Sequence, residues 1–583
     1  MLKDLLKFML DYALGLARAR RAERIRAQAV RSWEGGDSAG AERLLVEARR
    51  IDPGSARIAT NLGMLIWEQG RLDEGMALLR KAVELDPCFA GAHVNLAIAL
   101  YLNGSAEESI SHYRNALRLD PANSAARLNL LMPLLESCDW DGVEAEVAAL
   151  VARVSESDDA TVFDSVDPFL SLLIPLPQTL RLRIARHHAE KVATGVAHGP
   201  RVRRPPRGSR TRLRIGYVSN GFQDGATAHL TAGMFEHHDR SRFETFAYSL
   251  GADNGGEYRA RLVAAFDHFT DIRSMTHHAA AQRIADDGVD ILVDFMGYQA
   301  DARPEIAELR PAPVQVSFLG YPGTLGSNAI DYVVADSTVI PEADAQSYAE
   351  KIVWLPDSYQ VNDDRQRIKE GSSNRAAHGL PEGFVFCCFN QHSKIERTVF
   401  DAWMAILAQV QHGVLWLQAG GGEKRMRTRA ALKGIDPARL VFAPRLPKPE
   451  HLARLKLADL FLDTHTYNAH TTSSDALWAG VPVITCPADA FAGRVAASLL
   501  KAIGLPELIC ADVDAYQRSA IELALGGLGW GFSHLTTPLA MGYLADHIGL
   551  VPGFYVLGAF AMCWTMSLAF MRTWAFAQPK PAG

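Results

Sequence analysis

The chain has 583 residues, too many for one ordinary hydrophobic core, so several domains are expected. Its 60 Lys and Arg residues nearly balance its 66 Asp and Glu residues, which gives no general case for nucleic-acid binding. The seven cysteines show neither metal-binding spacing nor an even disulfide framework, and this pattern favours a reducing, cytoplasmic location.

The chain starts with a segment, residues 1–21, in which charged residues interrupt the apolar ones. A signal peptide needs an unbroken apolar stretch and a cleavage site, and neither is convincing here. We predict an amphipathic N-terminal helix instead.

The next segment, residues 22–155, carries an internal period of 34 residues. The positions that repeat at this interval are Gly36, Gly70 and Gly104, Ala48, Ala82 and Ala116, and Pro53, Pro87 and Pro121. A glycine suits the turn within a helical pair, an alanine suits a close helix crossing, and a proline ends the second helix. The pattern resembles the tetratricopeptide repeat and predicts an α-helical solenoid, with less regular helices at 122–155.

Three asparagines, Asn61, Asn95 and Asn129, share the same period. Stacked repeats would align them on the concave face, where their amides could hydrogen-bond the backbone of an extended peptide. Asparagine is also common at this repeat position, so a purely structural role stays open. In either case we expect the repeats to bind protein substrates or partner peptides.

Residues 156–210 are predicted to be a helical and linker region. The Pro- and Arg-rich run at 200–214 is interpreted as a solvated interdomain linker, with an anion-binding patch as the alternative.

Two consecutive sets of short buried strands follow, at residues 211–365 and 366–522, with helical stretches between the strands. Alternation of strands and helices predicts parallel α/β sheets. We therefore expect two Rossmann-like domains that face a cleft, with ligands bound outside the carboxyl ends of the strands.

Polar residues follow three strands of the second set. Gln391 and Lys394 follow the first of them, Lys448, His451 and Arg454 follow the next but one, and His470, Thr471, Thr472 and Asp475 follow another. A basic, hydroxyl-rich set at a helix N-terminus suits a diphosphate. Asp475 could instead accept hydrogen bonds from a ribose, and His451 could stack on a base. Taken singly, Thr471 or Thr472 could be a plain helix cap, and Lys448 a surface lysine.

Five stretches resemble one known family: RIGYVS, LRPAPVQVSFLGYPGT, FNQHSKI, PKPEHLAR and YNAHTTSSDALWAGVPVIT. They are similar to the O-linked N-acetylglucosamine transferases and their SPINDLY-like relatives, which join tetratricopeptide repeats to a GT-B region of two Rossmann-like domains. The resemblance covers about residues 25–520. It implies transfer of N-acetylglucosamine from UDP-GlcNAc to Ser or Thr hydroxyls of proteins, with GDP-fucose as the alternative donor.

The resemblance also implies roles for the residues that match. Those that would hold the diphosphate are Gln391, Lys394, His470, Thr471 and Thr472. Those that would hold the nucleoside are Lys448, His451, Arg454 and Asp475. The GYPGT loop, with Tyr321, Gly323 and Thr324, would lie near the donor across the cleft. We expect Lys394 to make the main contact to charge growing on the leaving diphosphate, with neither metal ion nor other cofactor.

The stretch SNGFQDGATAHL, residues 219–230, departs from the family pattern. Relatives have a His beside the reacting sugar where this chain has Gly225. Asp224 and His229 remain nearby and are the candidate catalytic residues of this wall. Either turnover is impaired or Asp224 substitutes for the missing group. A catalytically inactive nucleotide-binding scaffold that acts through its repeats is the alternative function.

The tail, residues 523–583, is the second departure. Residues 523–545 and 548–571 contain no Asp, Glu, Lys or Arg, and each run is long enough to span a bilayer. The end of the chain resembles the end of a major-facilitator transporter. Three explanations stay open: a fused foreign segment or frameshift, a membrane anchor formed by a two-helix hairpin, and a buried core hairpin. Any membrane contact is expected only through this tail.

Overall fold

The computed structural model describes residues 2–156, 160–206, 208–371 and 374–526. These residues fall into two units, the first ending at Gln517 and the second beginning at Arg518. The first unit contains a run of helices followed by two parallel sheets with helices between their strands. The predicted fold class, a helical repeat array followed by a GT-B-like α/β region, is confirmed.

Eight helices form the first part of the chain. They are α1 (Leu2–Glu34), α2 (Ser38–Ile51), α3 (Ala56–Glu68), α4 (Leu72–Leu85), α5 (Ala90–Leu102), α6 (Ala106–Leu119), α7 (Ser124–Glu136) and α8 (Trp140–Glu156). Consecutive helices pack as pairs, α1 with α2, α3 with α4 and α5 with α6. Helix α1 is continuous, so the predicted boundary between residues 21 and 22 falls inside it.

The repeat positions have the conformations that their residue types require. Gly36, Gly70 and Gly104 form the turns within the helical pairs with φ of +85°, +86° and +82°, a region that a side chain would strain. The alanines of the period are fully buried where the helices cross: Ala48, Ala82 and Ala116. The 34-residue period therefore identifies true tetratricopeptide-like units.

A fourth unit of the same kind is formed by α7 and α8. Its turn contains Cys138, which lies 34 residues after Gly104 and also has a positive φ, of 54°. The sequence period fades here because a cysteine occupies the position of the glycine. The backbone nevertheless makes the same turn, so the repeat array continues to the end of α8.

Two further helices, α9 (Pro168–Leu173) and α10 (Gln178–Val196), follow the repeats. Apolar residues from α7, α9 and α10 share one hydrophobic cluster with Tyr298, Tyr321 and Tyr467, which come from loops of both sheets. This cluster joins the helical region to the α/β region. The described residues of 200–212 are mostly exposed, in agreement with a solvated linker.

The first sheet has seven parallel strands in the order β3-β2-β1-β4-β5-β6-β7. The strands are β1 (Leu213–Ser219), β2 (Phe243–Ser249), β3 (His268–Asp271), β4 (Ile291–Asp294), β5 (Val314–Ser317), β6 (Tyr332–Asp336) and β7 (Lys351–Leu355). The helices between them are α11 (Ala226–Glu236), α12 (Glu257–Ala265), α13 (His277–Asp286) and α14 (Pro304–Glu308).

The second sheet has five parallel strands in the order β10-β9-β8-β11-β12. The strands are β8 (Val385–Cys388), β9 (Val414–Gln418), β10 (Leu440–Ala443), β11 (Leu460–Leu462) and β12 (Val483–Ile484). The helices are α15 (Arg397–Gln409), α16 (Glu423–Leu432), α17 (Lys448–Leu455), α18 (Thr471–Trp478) and α19 (Val495–Ala502).

Two strands escape the sequence analysis, β3 and β7. Both lie at an edge of the first sheet and contain only exposed and half-buried residues. An edge strand lacks the continuous apolar run that marks a buried parallel strand. Its hydrophobic pattern is therefore too weak to identify it from sequence.

The predicted apolar tail begins inside the described part of the chain but lies outside it from residue 527 onward. Within the described residues, no helix combines the length and the apolar composition needed to cross a membrane.

The repeat packing predicts a stability effect at Gly75. A Cβ atom there would lie 2.6 Å from Cβ of Trp67 and 2.7 Å from the backbone oxygen of Gly63. We expect Gly75→Ala to lower the free energy of unfolding by about 1–3 kcal/mol, because the helices must move apart. Urea unfolding of the helical signal in circular dichroism measures this change.

The matched control is Gly15→Ala in α1, where an added Cβ meets no atom within 4 Å. It should leave stability unchanged or raise it by about 0.5–1 kcal/mol, because alanine favours the helix. Equal stability of the two variants would contradict the close packing at Gly75.

Candidate functional site

The second sheet reverses its strand order between β8 and β11. These neighbouring strands lead into helices on opposite faces, so their loops leave a crevice, which is where ligands of such sheets bind. The loop after β8 carries Gln391 and Lys394, and the loop after β11 leads through Tyr467 to His470. Two of the three predicted polar groups thus meet at the switch point of the sheet.

Lys394 is the central cation of this crevice. Its Nζ donates a hydrogen bond to the backbone oxygen of Asn468 at 3.2 Å and lies 4.0 Å from the centroid of the Tyr467 ring. Burial lowers the pKa of the lysine to about 8, although the nearby Asp463 carboxyl opposes this shift. The side chain is therefore a poorly solvated cation that an anionic ligand can neutralise.

Asp463 follows β11 beneath Lys394. The carboxyl accepts hydrogen bonds from the Thr485 hydroxyl and from the backbone N–H of Ala469, both at 2.7 Å. Burial raises the pKa of Asp463 to about 7 despite these bonds and the charge of Lys394. This carboxyl holds the loop that precedes α18, and its ionised form attracts the charge of Lys394.

His470 stacks on Tyr467, with ring centroids 4.7 Å apart. Its Nε2 lies 3.0 Å from the backbone oxygen of Ala492, and a carbonyl only accepts, so Nε2 carries the proton. Burial, followed by the charge of Lys394, holds the pKa of His470 well below its usual value. The neutral ring therefore offers Nδ1 as an acceptor for a hydroxyl, and not as a donor to a phosphate.

The helix α18 begins directly after His470. Its cap position is filled by His470, whose side chain makes no capping hydrogen bond, so neither threonine is the N-cap. The Thr472 hydroxyl donates to Oδ1 of Asn390. A helix leaves its first backbone N–H groups without partners inside the helix, so residues Thr471 and Thr472 begin a turn suited to an anion. Gln391, in the loop after β8, is exposed.

The third group lies on α17. Lys448 forms a hydrogen-bonded ion pair with Asp475, and their side chains are only 9% and 7% exposed. Lys448 is thus not a surface lysine. Nε2 of His451 lies 3.8 Å from the Asp475 carboxylate, and Arg454 donates to Nδ1 of His451 at 3.1 Å.

The aromatic face of this third group comes from Phe389. The Arg454 guanidinium lies 4.5 Å from the centroid of the Phe389 ring, and the His451 ring meets the same phenyl edge to face at 5.2 Å. Burial, followed by the charges of Arg454 and Lys448, lowers the pKa of His451 to about 3. His451 is a neutral aromatic ring, which suits contact with a base.

The first sheet contributes the opposite wall through the loop after β1. Nε2 of His229 lies 2.6 Å from the Asp224 carboxylate, and the imidazole ring packs edge to face on Tyr258. Burial lowers the pKa of His229 most, and the charge of Lys448 lowers it further. Asp224 and His229 therefore face the Lys448–Asp475 pair of the second sheet.

Gly225 precedes α11 at this wall. Its backbone is extended, with φ of −179°, which any residue can adopt. An added Cβ would meet no atom within 4 Å. The position thus has room for a side chain.

The GYPGT loop is more packed than the sequence suggests. Tyr321 lies in the hydrophobic cluster that joins the helices to the sheets, and the Thr324 hydroxyl donates to Glu350 at 2.7 Å. A Cβ at Gly323 would lie 3.1 Å from Leu172. The Thr324 hydroxyl therefore stabilises the loop through a bond within the protein.

The three asparagines of the repeats are half-buried. The amide of Asn95 donates to the backbone oxygen of Gly91 at 2.8 Å, and that of Asn129 donates to Ala125 at 2.9 Å. These bonds use one N–H of each amide and fix its orientation. The amide oxygens are not consumed by them and can accept from the N–H of a peptide.

Sequence reasoning missed three residues of the crevice: Asp463, Tyr467 and Asn468. Tyr467 and Asn468 stand directly before the predicted His470, so their place in the loop was visible. Their contact with Lys394 could not be predicted from the sequence, because it joins residues more than seventy positions apart.

Comparison with family models identifies both halves of the chain. Residues 137–373 and 369–527 match the model described as Glycosyl transferase family 41. Residues 56–87 and 90–123 match the tetratricopeptide repeat.

Curated relatives are similar to a large part of the chain. A probable UDP-N-acetylglucosamine–peptide N-acetylglucosaminyltransferase SEC of Arabidopsis thaliana is 38% identical over 407 residues, which cover 67% of this chain and 42% of the relative. A probable enzyme of the same description, SPINDLY of Petunia hybrida, is 32% identical over 54% of this chain and 34% of its own length. The chain spans less than half of the length of these relatives.

A solved structure shows the same architecture over nearly the whole chain. A variant of the O-GlcNAc transferase of Thermobaculum terrenum superposes with a TM-score of 0.62 at 28% identity, covering 94% of this chain and 98% of that protein. The family model covers both sheets and the last repeat turn. This chain therefore belongs to glycosyl transferase family 41, with the repeat-bearing architecture of the O-GlcNAc transferases and SPINDLY proteins.

Proposed function

We propose that this chain is a protein O-glycosyltransferase that transfers N-acetylglucosamine from UDP-GlcNAc to Ser or Thr hydroxyls. The observation that carries the proposal is the half-buried side chain of Lys394, whose ammonium lies beside the first turn of α18 at the switch point of the second sheet. The descriptions of the relatives, which name UDP-N-acetylglucosamine and a peptide acceptor, support it.

The reaction breaks the bond between the sugar and the diphosphate, and negative charge grows on the departing nucleoside diphosphate. Lys394 and the N–H groups at the start of α18 stabilise this charge without a metal ion. Gln391, Thr471 and Thr472 border the same position. His470 accepts a hydrogen bond through Nδ1 from a hydroxyl of UDP-GlcNAc.

The nucleoside occupies the part of the crevice bordered by α17. There Lys448 and Asp475 form the buried pair, and the neutral ring of His451 is held by Arg454. Asp475 already accepts a hydrogen bond from Lys448. It can therefore accept one from a ribose hydroxyl only if its carboxylate binds both groups at once. Asp224 and His229 form the opposite wall. This pair accepts the proton of the acceptor hydroxyl as its oxygen forms the bond to the sugar carbon that the diphosphate leaves.

The repeats present the acceptor protein, with Asn61, Asn95 and Asn129 as peptide contacts. The reaction takes place in the cytoplasm, and four buried free thiols among the described cysteines support a reducing compartment: Cys138, Cys387, Cys388 and Cys486.

The direct test uses the full chain with radiolabelled UDP-GlcNAc or GDP-fucose and protein from a cell extract. Label transferred from UDP-GlcNAc supports the proposal. Label from GDP-fucose alone identifies the other donor. Nucleotide binding without transfer from either donor identifies an inactive scaffold and overturns the proposal.

Removal of the central cation should abolish most turnover. We expect Lys394→Ala to lower kcat by about 10²–10³-fold, because one preorganised charge contact to the transition state is lost. Initial rates of label transfer measure the effect. The control Lys501→Ala removes an exposed lysine at the end of α19 and should be silent. Full activity of Lys394→Ala would falsify the site assignment.

Nucleotide affinity should depend on pH through Lys394. Burial lowers the pKa of this lysine to about 8, so the cation is present below that pH and is lost above it. We expect UDP to bind more weakly as pH rises from about 7 to about 9, which calorimetry measures. Lys394→Arg keeps its charge over this range and should remove the alkaline loss. An identical pH profile in this variant would exclude Lys394 as the group responsible.

The space at Gly225 predicts a gain of activity. We expect Gly225→His to raise the rate of transfer, because an imidazole there adds a proton-transfer group, which typically contributes about 10²–10⁴-fold when well placed. Gly225→Ala fills the same backbone position without that group and should not raise the rate. A fully active parent with a silent Gly225→His variant would show that this wall needs no further side chain.

A further inference from the structure

The turn between α7 and α8 contacts the loop that carries Lys394. The indole N–H of Trp140 donates to the backbone oxygen of Ile395 at 2.7 Å, one residue after the lysine. The Trp140 ring also packs on Phe400 of α15 at a centroid distance of 5.1 Å and is 8% exposed. A residue of the last repeat is thus bonded to the backbone beside the central cation.

The same turn contacts the other side of that loop. Sγ of Cys138 lies 3.8 Å from the backbone oxygen of His392. A Cβ at Gly422 would lie 2.5 Å from this sulfur, so only glycine fits there. Cys138 has a φ of 54°, a conformation that is strained for a residue with a side chain. The first three repeats have a glycine at this position. The fourth repeat has Cys138 there in spite of the strain, and its side chain contacts the second sheet.

The loop is also fixed from within the second sheet. The His392 ring accepts from the backbone N–H of Gly422 through Nδ1 at 3.0 Å, and its Nε2 lies 2.8 Å from the oxygen of Gln418. The turn from His392 to Lys394 is thereby held by the sheet on one side and by Trp140 on the other. Lys394 has little freedom to move within this turn.

Ion pairs surround the contact at the surface. Arg425 of α16 bonds to Glu107 and lies 3.3 Å from Asp139, and Arg397 of α15 lies 2.7 Å from Glu144. Exposed pairs of this kind contribute little to stability. They set the register of the turn against the sheet, while the buried indole bond fixes the backbone.

We propose that Trp140 is a positioning residue for Lys394, through which the repeat array holds the catalytic cation at its place in the crevice. This inference rests on the proposed function only for its effect on turnover. Its effect on the environment of the lysine can be measured without a nucleotide.

The pKa of Lys394 depends on the groups that face its ammonium, so a change in this pKa reports a change in the position of the lysine. They are Asp463 after β11, Cys388 at the end of β8, and Tyr467, Asn468 and His470 before α18. None of them belongs to the repeats. A substitution at Trp140 can therefore change the pKa of Lys394 only by moving the backbone of the loop.

The test variant is Trp140→Phe, which removes the indole N–H and keeps an aromatic ring against Phe400. We expect kcat to fall by about 10-fold or more, because small misplacement of a catalytic group is costly. The KM for the acceptor protein should stay unchanged, because the peptide contacts lie elsewhere in the repeats. Circular dichroism and thermal unfolding verify that the variant is folded.

The decisive readout is the titration of Lys394 itself. Limited acetylation with acetic anhydride at a series of pH values, quantified by mass spectrometry, gives the pKa of this amine in the full chain without ligand. We expect the pKa to rise in Trp140→Phe toward its ordinary value, because a loosened lysine gains water. Arg425→Gln loosens the same turn from the surface and should shift the pKa in the same direction by less.

The matched control is Trp67→Phe in α3. The indole N–H of Trp67 is buried and has no hydrogen-bond partner among the described residues, so its removal should alter neither the titration nor the rate. A fall in kcat for Trp140→Phe with an unchanged Lys394 titration overturns the proposal, as does no change in either. A shifted titration in a chain whose parent transfers no sugar supports the positioning role and contradicts the proposed function.

Discussion

The structure depends on one electrostatic constraint, which is a lysine ammonium kept largely out of water at the switch point of the second sheet. Lys394 is compensated by a tyrosine ring, a backbone carbonyl and the buried Asp463 carboxyl, and none of these neutralises it fully. A buried cation with incomplete compensation raises the free energy of the empty site. An anionic ligand lowers that energy, so the chemistry of the crevice follows from the burial of one charge.

The crevice needs parts that are far apart in the chain. The second sheet supplies the cation and the helix start, while the loop after β1 supplies Asp224 and His229 opposite the Lys448–Asp475 pair. A hydrophobic cluster shared by the helical region and the loops of both sheets holds these walls together. The repeats are therefore part of the frame of the site.

Much of the fold could be predicted because its signals are local. The 34-residue period gave three helical pairs, and ten of the twelve described strands lie in short apolar runs of the sequence. The fourth repeat was less clear because Cys138 replaces the turn glycine, and two edge strands lacked an apolar run. The placement of polar residues after β8, β10 and β11 followed from the rule that parallel strands end at one edge.

The sequence by itself determined which loops border the crevice, because strand position and loop position follow from short apolar and polar patterns. Only the tertiary structure decided their chemical states. The pairing of Lys448 with Asp475, the neutral rings of His451 and His470 and the lowered pKa of Lys394 all arise from burial by distant segments. Solvation and hydrogen bonding are properties of the packed chain, so no local pattern can specify them.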